Sequence, residues 1–169
     1  MLSDIPMRID VGFADTVVPP AVALSYPTLL DMPEPNLKAY AYETLIAEKF
    51  QAMVFLGNAN SRMKDFHDLW LLSTEASIDG AALYDSIKTT FKSRHTGIPM
   101  NTPVSLTPEF AKAKQRDWQA FVRRANVADS VPSDFVEVVE QLYDFLTPLL
   151  EAVRKAEGFS VSWLSNRWQ

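Results

Sequence analysis

The sequence predicts an α+β fold that is mostly α: a short N-terminal β segment followed by a bundle of about five helices. Three observations carry that expectation. Met7 to Phe13 alternates apolar and polar residues, prolines punctuate residues 19–35, and from residue 43 onward apolar positions recur at helical spacing. The expected organisation is a partial β segment over 1–42 and one compact helical unit over 43–169.

In Met7–Phe13 the side chains of Met7, Ile9, Val11 and Phe13 fall on one face and those of Arg8, Asp10 and Gly12 on the other, which is the pattern of a half-buried strand. Pro19, Pro20, Pro27, Pro33 and Pro35 exclude a helix in the next stretch. They leave room for short edge strands near Ala21–Ser25 and Leu37–Ala41. Glu43 to Leu56 carries apolar residues at Leu45, Ile46, Phe50, Met53 and Val54 and is stopped by Gly57-Asn58, so it reads as the first helix. Ser61 is the expected cap of a second, Arg62 to Ser73. Asp79 to Arg94, striped by Leu83, Ile87 and Phe91, is the third. Thr107-Pro108-Glu109 combines a capping hydroxyl, proline at the first helical position and an acid in the first turn, and opens a fourth helix to about Arg124. Pro132-Ser133-Asp134 starts a fifth, which Pro148 is expected to kink or split. Phe159, Val161, Trp163 and Trp168 give the C-terminal tail enough apolar surface to pack down.

A chain of 169 residues with 47% hydrophobic and 22% charged residues is globular, and no apolar run approaches the ~20 residues of a bilayer span. No membrane insertion and no secretory signal are expected, which points to the cytoplasm. With no cysteine, disulfides and thiolate metal sites are excluded; His67 and His95 alone are too few for a structural zinc. A hard cation such as Mg²⁺ on carboxylates stays open. The net charge of -5 hides an asymmetry: between Lys88 and Arg124 eight bases face only Glu109 and Asp117, a local +6. Interleaved with Phe91, Phe110, Trp118 and Phe121, this block either faces phosphate or forms solvated helix faces with the aromatics turned inward.

The charge that matters most lies elsewhere. Lys49 shares a helix side with Leu45, Ala52 and Leu56, so its ammonium must either reach solvent along its apolar stem or meet an anion. Asp65 and Asp68, at i and i+3 on the next helix, repel unless a cation stands between them, and Arg62, Lys64, Lys49 or a metal could be that cation. Asp10 sits mid-strand, where Asp is disfavoured. His67 points about 100° from both its neighbours on a helix and reads as exposed or cap-like, while His95 lies in a loop where it could contact phosphate. No Walker or Rossmann glycine loop and no serine or cysteine nucleophile motif is present.

At Ile46-Ala47-Glu48-Lys49 and at Arg62-Met63-Lys64-Asp65-Phe66-His67-Asp68-Leu69 the chain resembles the nucleotidyl transferase AbiEii/AbiGii toxin family, the toxin half of abortive-infection and type IV toxin–antitoxin systems. The likeness extends to Arg8-Ile9-Asp10-Val11, Thr90-Phe91, Arg94-His95-Thr96 and Trp118-Gln119-Ala120-Phe121. It implies a polymerase-β-like nucleotidyltransferase core, with Mg²⁺ and a nucleoside triphosphate as cofactors and an RNA such as tRNA as acceptor. Carried over residue by residue, it places a metal-binding carboxylate at Asp10 and catalytic roles on Lys49, Asp65 and Asp68. Arg62, Lys64, Lys112, Lys114 and Arg116 become the nucleotide- and RNA-binding residues.

The family's Gly-Ser turn and Asp-x-Asp pair do not occur before Asp10, and only nine residues precede it. The expectation is therefore a truncated or diverged form of such a toxin, inactive alone. The alternative is a non-catalytic helical module that pairs with an antitoxin or sister subunit through its N-terminal strand. A third reading is a hydrolase holding a metal on Asp10, Asp65 and Asp68.

Overall fold

The computed structural model describes residues 17–169. The Met7–Phe13 strand and Asp10 lie outside the described residues. From Val17 onward the chain is mostly α, with five helices and short strands before and after them. These are β1 Val22–Ser25, β2 Asn36–Ala39, α1 Tyr42–Leu56, α2 Met63–Glu75, β3 Ile78–Asp79, α3 Gly80–Ser93, α4 Pro108–Ala125, α5 Phe135–Lys155, β4 Ser162–Leu164 and β5 Arg167–Trp168.

The helix starts follow from local chemistry. Asp79 Oδ1 accepts the Ala81 and Ala82 amides at 2.8 and 3.1 Å and opens α3, Thr107 Oγ1 accepts the Phe110 amide ahead of α4, and Asp134 Oδ1 accepts the Val136 amide ahead of α5. The second helix departs from expectation. No side chain caps its first turn: Asn60 Oδ1 accepts the Arg62 amide at 2.9 Å in a turn just ahead of the helix, and the exposed Ser61 contributes only its carbonyl, to the Met63 amide at 3.0 Å. Asn60 is itself fully buried, so its side chain is held where its oxygen meets the Arg62 amide.

Pro148 neither splits nor ends the fifth helix, which runs unbroken from Phe135 to Lys155. Asp144, whose carbonyl loses its partner to the proline, is exposed and can be hydrated, while Leu146, Leu149 and Leu150 stay fully buried on the opposite side and hold the helix in place.

The central helix α5 packs against α2, α3 and α4, while α1 lies on α3 and α2. Between α2, α4 and α5 the core is aromatic. Trp118 stacks on Phe135 with centroids 5.0 Å apart, and Phe66 meets Phe135 edge-on at 5.0 Å and Phe110 at 5.7 Å. The C-terminal tail does pack down, as an antiparallel β3-β4-β5 sheet. Trp163 Nε1 donates to the Ser73 carbonyl at 2.6 Å, and Trp168 Nε1 to the Phe145 carbonyl at 3.0 Å. Gly80 makes this close approach possible, because a Cβ there would collide with the Val161 carbonyl and the Phe159 ring.

The edge strands form a single antiparallel hairpin, pairing Val22 with Ala39 and Leu24 with Leu37. Its base is pinned to the helices at Val18, whose carbonyl accepts from Thr44 Oγ1 at 2.9 Å and Ser86 Oγ at 2.6 Å. Beyond that base the hairpin projects, with Val22, Leu24 and Leu37 all exposed.

Candidate functional site

The apolar stripe of α1 that enters the core is Ile46, Ala47, Phe50 and Met53. Leu45, Ala52 and Leu56, expected to bury Lys49, are only half-buried, so Lys49 sits at the edge of the core and not inside it. On α2 the buried stripe is Met63, Phe66, Leu69 and Ser73. Asp65 and Asp68 each precede one of its members by a residue and so lie along its margin. The turn between the helices brings the two margins together. Gly57 ends α1 with φ at +49°, a left-handed conformation that suits glycine, and Asn60 then fixes the start of α2.

Lys49 Nζ consequently bridges both acids, 2.8 Å from Asp65 Oδ1 and 2.8 Å from Asp68 Oδ2. The three side chains are 14%, 16% and 20% exposed, so the contacts are screened far less than surface ion pairs. Around them stand further cations: Lys64 Nζ lies 2.6 Å from Asp68 Oδ2, and Arg62 Nη1 3.9 Å from Asp65 Oδ2. Burial alone would lower the Lys49 pKa, but the hydrogen bonds to Asp65 and Asp68 and their charges outweigh it and raise it above the ordinary lysine value. Burial likewise pushes Asp68 up. The hydrogen bonds from Lys49, Lys64 and His67 overcome it and hold the carboxyl below the usual carboxylate range.

His67 is a correction to the reading of an exposed or cap-like residue. Its side chain is 13% exposed, with Nδ1 3.3 Å from Asp68 Oδ1 and the ring edge-on to Phe121 of α4 at 5.5 Å. The 100° offset from its neighbours directed it toward α4, which covers it, and local spacing on α2 held no sign of that. His95 follows α3 as an exposed residue at φ +50°.

The basic block separates into parts. Phe91, Phe110, Trp118 and Phe121 all face the core, so the aromatics turn inward. On α4, Lys112 and Arg116 share one exposed side, but Lys114 lies about 200° round from Lys112. There it is 22% exposed and pairs with Asp117 at 3.8 Å. Lys112 borders a separate cavity with Gln115, Ser133 and Asp134, and none of the three lines the cavities around Arg62.

Arg62 stands between two cavities. One, of about 290 Å³, is lined by Gln51, Ala52, Phe55, Leu56, Arg62 and Arg94. The other, of about 450 Å³, contains Arg62, Lys64, Asp65, Phe121 and Arg124. The structure adds Glu48, 3.5 Å from Arg94, and Gln51, whose amide donates to Thr96 Oγ1 at 2.6 Å, to the surroundings of Lys49. The sequence signal for them was the recurrence of Glu48 and Arg94-His95-Thr96 in the family pattern; spacing alone gave none.

Among the described residues no group of three or more His, Cys, Asp or Glu side chains is arranged to hold a metal. Asp65 and Asp68 do not fit Mg²⁺ as they stand, because Lys49 occupies one oxygen of each, Lys64 shares that oxygen of Asp68, and His67 faces its other. What the cluster can do is hold an ammonium in a fixed position. Two of its three donors are committed to carboxylates, leaving one for a phosphate oxygen, and Asp65 Oδ2 is left to accept a proton from a hydroxyl.

Residues 2–141 match the family model described as nucleotidyl transferase AbiEii toxin, Type IV TA system. No curated protein and no solved structure matches the chain. Among the described residues no helix is long and apolar enough to cross a membrane.

Proposed function

The chain belongs to the nucleotidyl transferase AbiEii toxin family of type IV toxin–antitoxin systems, and on that premise we propose that it forms the lysine and carboxylate half of a nucleotide-transfer site acting on an RNA acceptor such as tRNA. Such a family implies an antitoxin as its genetic partner. The observation that carries the reading is the Lys49 ammonium held 2.8 Å from both Asp65 and Asp68, between two cavities that share Arg62.

In this reading Lys49 offers its remaining N–H to the triphosphate and neutralises charge as the pyrophosphate departs, while Asp65 orients the acceptor hydroxyl. Arg62 and Lys64 add positive charge on the acceptor side. No Gly-Ser turn and no Asp-x-Asp pair occurs in these 169 residues. Two-metal chemistry at a transferred phosphoryl group needs such carboxylates, so the chain alone is expected to bind nucleotide without transferring it. Asp10, outside the described residues, is proposed as a metal-binding carboxylate of this half.

The test combines nucleotide binding with transfer. A thermal melt with each of the four nucleoside triphosphates at millimolar concentration is expected to show stabilisation by at least one of them, absent in Lys49→Met. Incubation with labelled triphosphates, Mg²⁺ and tRNA should give no label transfer. Absence of any nucleotide-dependent stabilisation would remove the reading, and robust transfer would place the catalytic carboxylates elsewhere in the chain.

One observation favours a second role, pairing with an antitoxin or sister subunit. The β1–β2 hairpin exposes Val22, Leu24 and Leu37 on one face, and with Tyr40, Tyr42 and Glu43 that face borders a cavity of about 380 Å³. A two-stranded hairpin with an uncovered apolar face is marginal by itself. If it pairs with a second copy, light scattering after size exclusion will give a dimer, and Leu24→Lys will return it to a monomer. A monomeric wild type at 100 μM or so would exclude self-pairing at any affinity that matters.

A further inference from the structure

Resting on the nucleotide-transfer reading, the geometry points to a specific path for the RNA acceptor: an arginine track on α4, formed by Arg116, Arg123 and Arg124, that leads its phosphodiester backbone into the cavity holding Arg62, Lys64 and Asp65. The three arginines are exposed. At 100° per residue Arg116 and Arg123 fall within about 20° of each other, and Arg124 stands about 80° to one side, turned toward the buried Phe121. The band therefore rises about 12 Å along α4 and ends at Arg124, which lines the 450 Å³ cavity together with Arg62, Lys64 and Asp65.

Charge accounting separates this band from ordinary surface basicity. Among the described residues no carboxylate lies within ion-pair distance of Arg116, Arg123 or Arg124. The nearest acid on their own helix, Asp117, is taken by Lys114 at 3.8 Å. Around the cavity and the cluster beside it, four cations, Lys49, Arg62, Lys64 and Arg124, meet two carboxylates, Asp65 and Asp68, and of the four only Arg124 has no carboxylate within ion-pair distance. The helix dipole favours cations in the last turn of α4, which accounts for Arg123 and Arg124 separately. It does not account for Arg116 in mid-helix, nor for gathering Arg124 with Arg62 and Lys64 across two helices, where like charges repel. A polyanion threaded past them relieves that repulsion and releases its counterions.

The polarity of the track is also fixed. Lys112, at its far end, borders a cavity with Asp134, and Glu109 lies on the same side of α4, so positive charge thins away from the site and concentrates beside Asp65. Strand binding would thus be strongest where the acceptor hydroxyl must arrive. Arginine suits this role, because its guanidinium forks match phosphate oxygens in pairs.

The experiment follows binding of 5′-fluorescein-labelled unfractionated tRNA to the full chain by anisotropy, at several salt concentrations from 50 to 200 mM. The triple variant Arg116→Gln, Arg123→Gln, Arg124→Gln is expected to bind at least about 10-fold more weakly at the lowest salt. Its slope of log affinity against log salt should be shallower by roughly 2, since each lost phosphate contact removes about 0.7–0.9. Arg124→Gln alone should cost about threefold, which keeps the test sound if the triple variant folds poorly by circular dichroism. A charge-matched control, Lys88→Gln, Lys92→Gln, Lys155→Gln, should stay within twofold of wild type.

Wild type that does not hold tRNA at 50 mM salt, a triple variant within twofold of wild type, or a control that loses as much as the triple variant would each overturn the track. The premise is tested apart from it. Loss of tRNA binding in the α4 variant with no nucleotide-dependent stabilisation in wild type keeps the track and removes the transfer reading. Lys49-dependent nucleotide stabilisation with tRNA binding indifferent to α4 does the reverse.

Discussion

Phe66→Ala is expected to destabilise the fold by about 3–5 kcal/mol, the range for deleting a fully buried aromatic side chain. For a chain of this size that is a fall in Tm of roughly 6–20 °C, measurable by circular dichroism. Phe66 has no solvent exposure and fills the junction of three helices, between Phe110 of α4 and Phe135 of α5. Neither neighbour can close the hole without leaving its own partners, since Phe135 is also stacked on Trp118. The loss reaches the candidate site because Asp65 and Asp68 flank this anchor on α2 and inherit their position from it. Phe66→Leu should recover most of the stability, and Phe55→Ala, at an exposed position of α1, should stay within about 0.5 kcal/mol of wild type. A cost under about 1 kcal/mol for Phe66→Ala would mean that α2 is seated by something other than this junction.

The residues that were legible in advance are those whose reasons are local. Thr107-Pro108-Glu109 announced α4, the stripe Leu83, Ile87 and Phe91 announced α3, and the prolines around the β1–β2 hairpin announced edge strands. The meeting of Lys49 with Asp65 and Asp68 was legible for a different reason: three charges on the margins of adjacent amphipathic helices have few ways to be satisfied, and most of them involve one another. What could not be read depends on the tertiary surroundings. Ser61 does not cap α2, and the buried Asn60 instead shapes the turn ahead of it. Pro148 is tolerated because the freed carbonyl meets water while leucines hold the far side. His67 is drawn to Asp68 and Phe121 because α4 covers it. Lys114 leaves the basic set because Asp117 lies within its reach. In each case the one-dimensional pattern was compatible with two outcomes, and a neighbour distant in sequence decided between them.

Lys49→Met is expected to cost about 2 kcal/mol at pH 7, between the 0–1 of an exposed pair and the 3–5 of a fully buried one. Methionine keeps the apolar stem, so the loss is one of charge: Asp65 and Asp68 remain side by side with their common cation gone. The pH dependence identifies the cause. Asp68 in the folded protein is held below its ordinary value of 3.8, so its favourable contribution is present above about pH 4 and is lost as the pH falls through the lowered folded value. Lys49 is raised above 10.5, so its contribution is complete below that pH and is lost as the pH climbs through the raised value. The gap between wild type and Lys49→Met should therefore be widest from about pH 5 to 10 and narrow at both extremes. A gap that persists unchanged at pH 3 would assign the cost to packing. The decisive comparison adds Asp65→Asn and Asp68→Asn to Lys49→Met. Removing the three half-buried charges leaves only the exposed Arg62 and Lys64 without their carboxylates, and should restore stability to within about 1 kcal/mol of wild type, because a partly buried ion cluster contributes little net stability over neutral groups of similar shape. Nucleotide-dependent stabilisation, by contrast, should stay absent. Recovery of the fold without recovery of binding would mean that the cluster persists for the ligand it meets, since the helices can be held together without it.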